Sequence, residues 1–510
     1  MLTKIWSAAN YGLKAVEIEI EVNVADKGFP TFTVVGLASK AAEEAKERVK
    51  TAILNSDFEF PVARITVNFA PADLHKDGSF FDLPLAIGIL ASQRQINLPK
   101  EKSYFFGELG LDGTLRHTRG VFLLAILAKE NGVKNIFVPR ECANEAAVIE
   151  GINVFPVLNL TEVVNHLNGI RSITPLITIA VDDDETLSPE FDFAEILGQD
   201  FAKRALEIAA AGGHNVFMVG PPGSGKTMLS RAIPGILPKL SEDESLEVTK
   251  IYSITGNIPA GGSLIHQRPF RCPHHTTSQV GLIGGGSNPH PGEISMAHRG
   301  VLFLDEFPEF GRGSLEALRQ PLEDGYITVS RASGSMVFPA QIMLIAACNP
   351  CPCGFLGDTK KECKCNIHQI SNYQKKLSGP VMDRIDIHLT VPAVDVNKLM
   401  VDKDKYTGEK SATIRARVIK SREIQKVRFK GLKSVHSNAD MKNKHLKDFA
   451  KLTDSANLLL KQAVNKFSLS ARTYFRLIKV SRTIADLDNS EVIDNNHIAE
   501  ALQFRVMSAD

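Results

Sequence analysis

Gly220-Pro221-Pro222-Gly223-Ser224-Gly225-Lys226-Thr227 fits the pattern G-x-x-x-x-G-K-[ST]. Apolar residues 216–219 lead into it as a strand, and the pattern at 228–233 continues it as a helix. Strand, glycine loop and helix in that order form the context that this motif requires. The glycines let backbone N–H groups turn toward phosphate oxygens, and a helix N-terminus favours their negative charge. Lys226 is then expected to reach the β- and γ-phosphates of a nucleotide, with Thr227 as a ligand of Mg²⁺.

A carboxylate at a neighbouring strand end must complete such a site. Val301-Leu302-Phe303-Leu304 is a continuous apolar run, as in a strand buried on both faces of a parallel sheet. Asp305 and Glu306 follow directly, where open α/β sheets meet their ligands. Asp305 suits Mg²⁺ coordination, and Glu306 suits polarisation of an attacking water. A surface acidic pair is the alternative, but four apolar residues lead straight into this one. A third strand at 342–347 ends close to Asn349, a candidate to orient the water or sense the γ-phosphate. Asparagine at a strand end is more commonly a turn residue. Together these features imply ATP hydrolysis.

Five of the seven cysteines fall between Cys348 and Cys365. In a chain without an export signal, such clustering reads as metal ligation before disulfides. The C-x-C pairs Cys351/Cys353 and Cys363/Cys365 supply four thiolates to one tetrahedral Zn²⁺. Four protein ligands leave no open position, so the site is expected to be structural. Cys348 continues the preceding strand and reads as a small buried residue. His368 is a spare ligand, and free or redox-active thiols are the competing reading.

The length of 510 residues suits about three domains. Hydrophobic residues at 44% and charged residues at 23% exclude a mostly disordered or fibrous chain. Residues 1–10 lack the charged start and apolar core of a signal peptide, and no apolar run approaches a membrane span. The expected location is cytoplasmic, with no membrane partner. Residues 1–170 form a mixed α/β part: a half-buried strand at 16–24, a helix at 39–55, strands at 64–69 and 135–138, and apolar helices at 83–91 and 121–129. A charged linker follows at 171–190, then an α/β core at 191–400, then a helical part at 401–510.

The formal net charge of +1 argues against a polyanionic partner only until it is resolved by region. Residues 403–482 hold 21 Lys+Arg and 6 Asp+Glu, an excess of +15, against −14 on the remainder. A solvated helical face is the bland account of any one lysine. An excess this large suits a surface that faces a polyanion.

Longer stretches resemble the YifB/ComM family of magnesium-chelatase-like AAA+ ATPases over nearly the whole chain. They include Phe32-Thr-Val-Val-Gly-Leu37, Val67-Asn-Phe-Ala-Pro-Ala-Asp73, Arg268-Pro-Phe-Arg-Cys-Pro-His-His-Thr276 and Pro291-Gly-Glu-Ile-Ser295. They continue with Leu318-Arg-Gln-Pro-Leu-Glu-Asp-Gly325, Asn349-Pro-Cys-Pro-Cys-Gly354 and Ser378-Gly-Pro-Val-Met-Asp-Arg-Ile-Asp386. The resemblance implies that Arg384 is an arginine finger completing a neighbour's site. It implies that Arg472 is the arginine of the helical lid that touches the γ-phosphate, and that Gly198 and Gln199 lie near the adenine. A finger donated in trans requires a ring, and the family forms hexamers.

The resemblance also implies an insert at 280–292 and a hairpin at 324–338 with Arg331, both pointing into the ring where they would track a nucleic-acid backbone. His274 and His275 are assigned to loop anchoring, since adjacent residues of an extended strand point oppositely. Lys76-Asp-Gly78 and Gly107-Glu-Leu-Gly-Leu-Asp-Gly113 resemble the proteolytic domain of Lon-type ATPases (the ribosomal S5 domain 2-like fold). Phe80 stands where that family has its serine, Ser79 is out of register, and the partner lysine is missing, so a Ser-Lys dyad is not expected. The function implied is a hexameric DNA helicase that promotes branch migration during recombination, as in natural transformation. The alternatives are a chelatase-type motor and a protein-remodelling ATPase that does not act on DNA.

Overall fold

The computed structural model describes residues 2–25, 29–36, 40–72, 80–176, 190–258, 264–286, 289–331, 334–358, 361–377, 379–393, 408–432 and 435–505. Most of the expected linker, the Lys76-Asp-Gly78 stretch and Ser79 lie outside them. The chain forms two compact units: Met1–Asp184 with Glu242–His266, and Glu185–Ser241 with Gln267–Asp510.

The first unit is built on a seven-stranded mixed sheet. Its strands are β1 (Leu2–Tyr11), β2 (Lys14–Val24), β3 (Thr31–Val35), β4 (Arg64–Ala70), β5 (Ser103–Phe105), β8 (Asn135–Pro139) and β9 (Asn153–Val157), in the order β3-β4-β2-β1-β5-β8-β9. A small hairpin pairs β6 (Glu108–Leu109) with β7 (Leu115–Arg116). The alternation in β2 buries Ile18, Ile20 and Val22 completely. Its partner β1 runs antiparallel to it from Leu2↔Asn23 to Tyr11↔Lys14. β1 escapes a hydrophobic-pattern reading because Thr3 and Ser7 share its buried face with Ile5 and Ala9.

Successive strand residues point to opposite faces. Phe105 and Phe137 accordingly join one hydrophobic cluster with helices 40–55, 82–92 and 160–167, while Tyr104 and Ile136 join another with helices 121–130 and 143–147. The result is an α/β/α layering. Phe80 stacks on Phe106 at 4.7 Å and lies 4.6 Å from Phe81, so an aromatic cluster occupies its position.

The second unit holds a five-stranded sheet of β10 (Val216–Val219), β11 (Phe270–Arg271), β14 (Val301–Leu304), β17 (Met343–Cys348) and β18 (Ile387–Thr390). Every pairing is parallel, and the order is β11-β14-β17-β10-β18. β14 is buried at all four residues, as a strand covered on both faces must be. Two hairpins leave this core: β12 (Gly284–Gly285) with β13 (His290–Pro291), and β15 (Tyr326–Arg331) with β16 (Gly334–Pro339). The first falls within the expected insert, and the second matches the expected hairpin to within one residue at its end.

C-terminal helices 411–428, 471–487 and 495–503 share one hydrophobic cluster with the sheet and with helix 200–212. A buried polar chain crosses the same region. His214 lies 3.2 Å from Asp386 and 2.8 Å from the Thr483 hydroxyl, and Arg476 pairs with Asp386. Burial alone would raise the Asp386 carboxyl, but Arg476 and His214 hold it well below the usual carboxylate range. Among the described residues, no helix is long and apolar enough to cross a membrane.

A candidate nucleotide site and an adjoining four-cysteine loop

The glycine loop leaves β10 and closes onto a helix that begins at Lys226 itself, two residues earlier than its sequence pattern indicates. Gly225 at φ 90° sets that entry, a left-handed conformation for which glycine has no steric cost. Gly220 is required for a different reason: a Cβ there would lie 2.2 Å from the Val391 carbonyl oxygen. The Lys226 ammonium donates to the carbonyls of Gly220 at 2.7 Å and Pro221 at 2.9 Å. Burial lowers its pKa. It also lies 3.3 Å from the Asn349 amide oxygen, so the third strand end reaches the same point.

The Thr227 hydroxyl donates to Asp305 at 2.8 Å, which brings the two candidate Mg²⁺ ligands together. Asp305 also accepts from the Glu306 N–H at 2.9 Å. Buried Gln199 spans from the Ser224 carbonyl at 3.2 Å to the Pro392 carbonyl at 2.9 Å, behind the loop and next to Gly198. A phosphate cradle, a hydroxyl–carboxylate pair for a hard cation and a glutamate beside them are the donor set that MgATP needs.

The contact that sequence reasoning missed is that of His275 with Glu306. The His275 Nδ1 lies 3.0 Å from the Glu306 carboxylate. The segment turns at this point instead of continuing β11, so the rings of His274 and His275 lie side by side with centroids 4.1 Å apart, not on opposite sides. The signal was the motif Arg268-Pro-Phe-Arg-Cys-Pro-His-His-Thr276, whose fold could not be read from alternation.

The two expected arginines are not at the phosphate loop. Arg384 donates to Glu323 and to the Pro380 carbonyl. Exposed Arg472 lies 3.8 Å from Asp383. Glu323 is held below its ordinary pKa first by the Arg384 hydrogen bond, with Arg472 and Arg476 adding to it.

The cysteine loop leaves β17 and packs on the glycine loop: a Cβ on Gly354 would meet the Pro222 ring at 2.6 Å. Sγ of Cys351 lies 3.4 Å from Cys353 and 3.7 Å from Cys363, and Cys353 lies 3.6 Å from Cys363. All four sulfurs, Cys365 included, fall within 4.8 Å of one another. A disulfide needs about 2.05 Å. Four thiolates at about 2.3 Å from one Zn²⁺ are about 3.8 Å apart. Backbone N–H groups, that of Phe355 foremost, pull the Cys353 thiol down to about 6. Cys348 is buried in β17, its thiol pushed up to about 12, and it stands apart from the group. His368 is exposed and also outside it.

Fold and site define a magnesium-chelatase-like P-loop core with a helical C-terminal region. Three family models match the chain: Subunit ChlI of Mg-chelatase over residues 20–142, Magnesium chelatase, subunit ChlI, over 192–399, and Magnesium chelatase, subunit ChlI C-terminal, over 408–505. Competence protein ComM of Haemophilus influenzae is 43% identical over 99% of this chain and 98% of its own length. Uncharacterized protein YifB of Escherichia coli is 40% identical over 99% and 97%. Magnesium-chelatase subunit ChlI of Olisthodiscus luteus is 28% identical, over 32% of this chain and 51% of its own. The chain belongs to the YifB/ComM family of magnesium-chelatase-like AAA+ ATPases. Membership implies ATP and Mg²⁺ as the cofactors.

Proposed function

We propose that this chain is an ATP-driven hexameric motor on DNA that promotes branch migration during recombination. The observation that carries this reading is which basic groups are left for a partner. Between residues 403 and 482 the arginines are largely turned inward: Arg415 donates to the Gly235 carbonyl, Arg422 to that of Ala210, and Arg428 and Arg482 pair with Asp486. Lys420, Lys426, Lys430, Lys442, Lys444 and Lys447 are exposed. Exposed lysines suit a phosphate backbone as point charges. Similarity to a competence protein along the full length supports the same reading.

Within each subunit, Lys226 and the loop N–H groups hold the phosphates, Thr227 and Asp305 would hold Mg²⁺, Glu306 polarises the attacking water, Asn349 orients that water or senses the γ-phosphate, and Gly198 and Gln199 lie near the adenine. Bound Mg²⁺ would neutralise charge on the transferring phosphoryl group. Arg384, paired with Glu323 in its own subunit, serves as the finger of a neighbour's site, and Arg472 is the arginine of the helical lid that touches the γ-phosphate. The four cysteines hold structural zinc. We assign residues 1–170 to a non-proteolytic Lon-like domain, 191–400 to the ATPase core and 401–510 to a basic helical lid, in a cytoplasmic protein.

A chelatase-type motor shares the core but would need a separate porphyrin-binding subunit. The test is whether ATP drives movement of a branched DNA junction, with Glu306→Gln as the control that binds nucleotide without hydrolysing it.

A further inference from the structure

The first unit contains a second cluster of metal-ligating side chains that the ATPase reading does not use. Cys142 ends the short turn Arg140–Cys142, and Glu145 lies in the following helix Ala143–Ala147, three residues on and therefore on the same side. His117 follows β7. Cys142 is fully buried, Glu145 is 6% exposed, and the His117 imidazole is half exposed. The His117 nitrogen, the Cys142 sulfur and the Glu145 oxygen all lie within 4.8 Å of one another.

Their surroundings are those of ligands. The Thr118 N–H donates to Cys142 Sγ at 3.2 Å, the contact that supports a thiolate. The sulfur also lies 3.3 Å from the Thr118 carbonyl oxygen, a contact it makes as a thiol and gives up on deprotonation. The Ser253 hydroxyl donates to one Glu145 oxygen at 3.1 Å, and the other faces His117 Nε2 at 4.0 Å. Among the described residues, no lysine or arginine pairs with Glu145. An ionised carboxylate this buried is stabilised by a cation. A nucleophilic role for Cys142 fails on access, since its sulfur has no exposed surface.

We propose that His117, Cys142 and Glu145 bind one divalent transition-metal ion of borderline softness, with Zn²⁺ the best fit. One nitrogen, one sulfur and one oxygen are a Zn²⁺ donor set, and a thiolate with a carboxylate cancels the ion's charge. Zn²⁺ bonds of about 2.0–2.3 Å place neighbouring ligand atoms about 3.3–3.6 Å apart, so a small turn of the exposed imidazole closes the set. Three protein ligands leave a fourth position on the exposed side, the arrangement of an open site and not of a sealed one.

The test separates this ion from the one assigned to the four-cysteine loop. Full-length Cys351→Ser/Cys363→Ser protein is titrated with Co²⁺ and followed by absorbance, and zinc is measured in the wild type and in His117→Ala. The double variant should still bind about one Co²⁺ per chain with a single-thiolate charge-transfer band. Adding His117→Ala or Glu145→Gln should weaken that binding about tenfold or more. His117→Ala alone should lower the wild-type zinc content by about one ion. His117 is half exposed, so its loss spares the core, which circular dichroism verifies. A double variant that binds no Co²⁺, or metal content unchanged by His117→Ala, would overturn the proposal.

Discussion

Glu306 adopts φ 51° and ψ 43°, a left-handed conformation that costs a non-glycine residue about 1 kcal/mol or more. Such strain persists where the surroundings over-determine it. Here the Asp305 carboxylate holds the Glu306 N–H, and His275 holds its side chain at 3.0 Å. His275→Ala is therefore expected to lower kcat for ATP hydrolysis about tenfold while leaving the KM for ATP within about twofold, with His275→Gln recovering part of the loss. Steady-state ATPase kinetics read that split.

Asp386 gives the pH dependence. Its folded pKa is depressed, so its contribution to stability is whole above the unfolded value of about 4 and is lost as pH falls from there. Asp386→Asn should cost about 3 kcal/mol at pH 7, because it leaves Arg476 and His214 without their anion, and the deficit should shrink below about pH 4. Urea midpoints at several pH values measure this.

The four-cysteine loop is an element whose influence reaches beyond its own fold. Gly354 rests against Pro222, and Asn349, two residues before Cys351, touches Lys226. Removing the metal should slacken the phosphate loop as well as the cysteine loop. Cys351→Ser/Cys363→Ser protein is expected to lose about one zinc ion and to bind a fluorescent ATP analogue about tenfold more weakly. Undiminished nucleotide affinity in that variant would separate the two elements.

The elements also show what a sequence reader sees and misses. Val301–Leu304 was legible because a run buried on both faces needs no partner to be recognised. The thiolate spacing was legible for the same reason, since chemistry that lies in one short segment is visible in it. β1 was not, because its buried face carries Thr3 and Ser7. The contact of His275 with Glu306 and the pairing of Arg384 with Glu323 join residues 31 and 61 positions apart, and no local pattern encodes them.

Across the whole molecule the charge of +1 hides an uneven distribution. Its basic part is sorted further by the fold, with Arg415, Arg422, Arg428 and Arg482 turned inward and Lys420, Lys426, Lys430, Lys442, Lys444 and Lys447 facing solvent. If those lysines contact phosphates, binding of a short duplex should weaken ~10³-fold or more between about 50 and 200 mM salt, as for proteins that make 6–10 phosphate contacts. Replacing Lys442, Lys444 and Lys447 with glutamine should reduce the salt slope by about 3. Fluorescence anisotropy across a salt series measures both.

The division into two units does not follow a single cut, since Glu242–His266 leaves the ATPase half to join the N-terminal one. The central claim is that hydrolysis at the β10 loop moves DNA. The direct measurement is conversion of a labelled synthetic four-way junction to its branch-migrated products, with ATP and Mg²⁺. Wild-type protein is predicted to convert the junction, and Glu306→Gln to bind it without conversion. A wild type that hydrolyses ATP yet leaves the junction unchanged, or equal conversion by Glu306→Gln, would contradict the account.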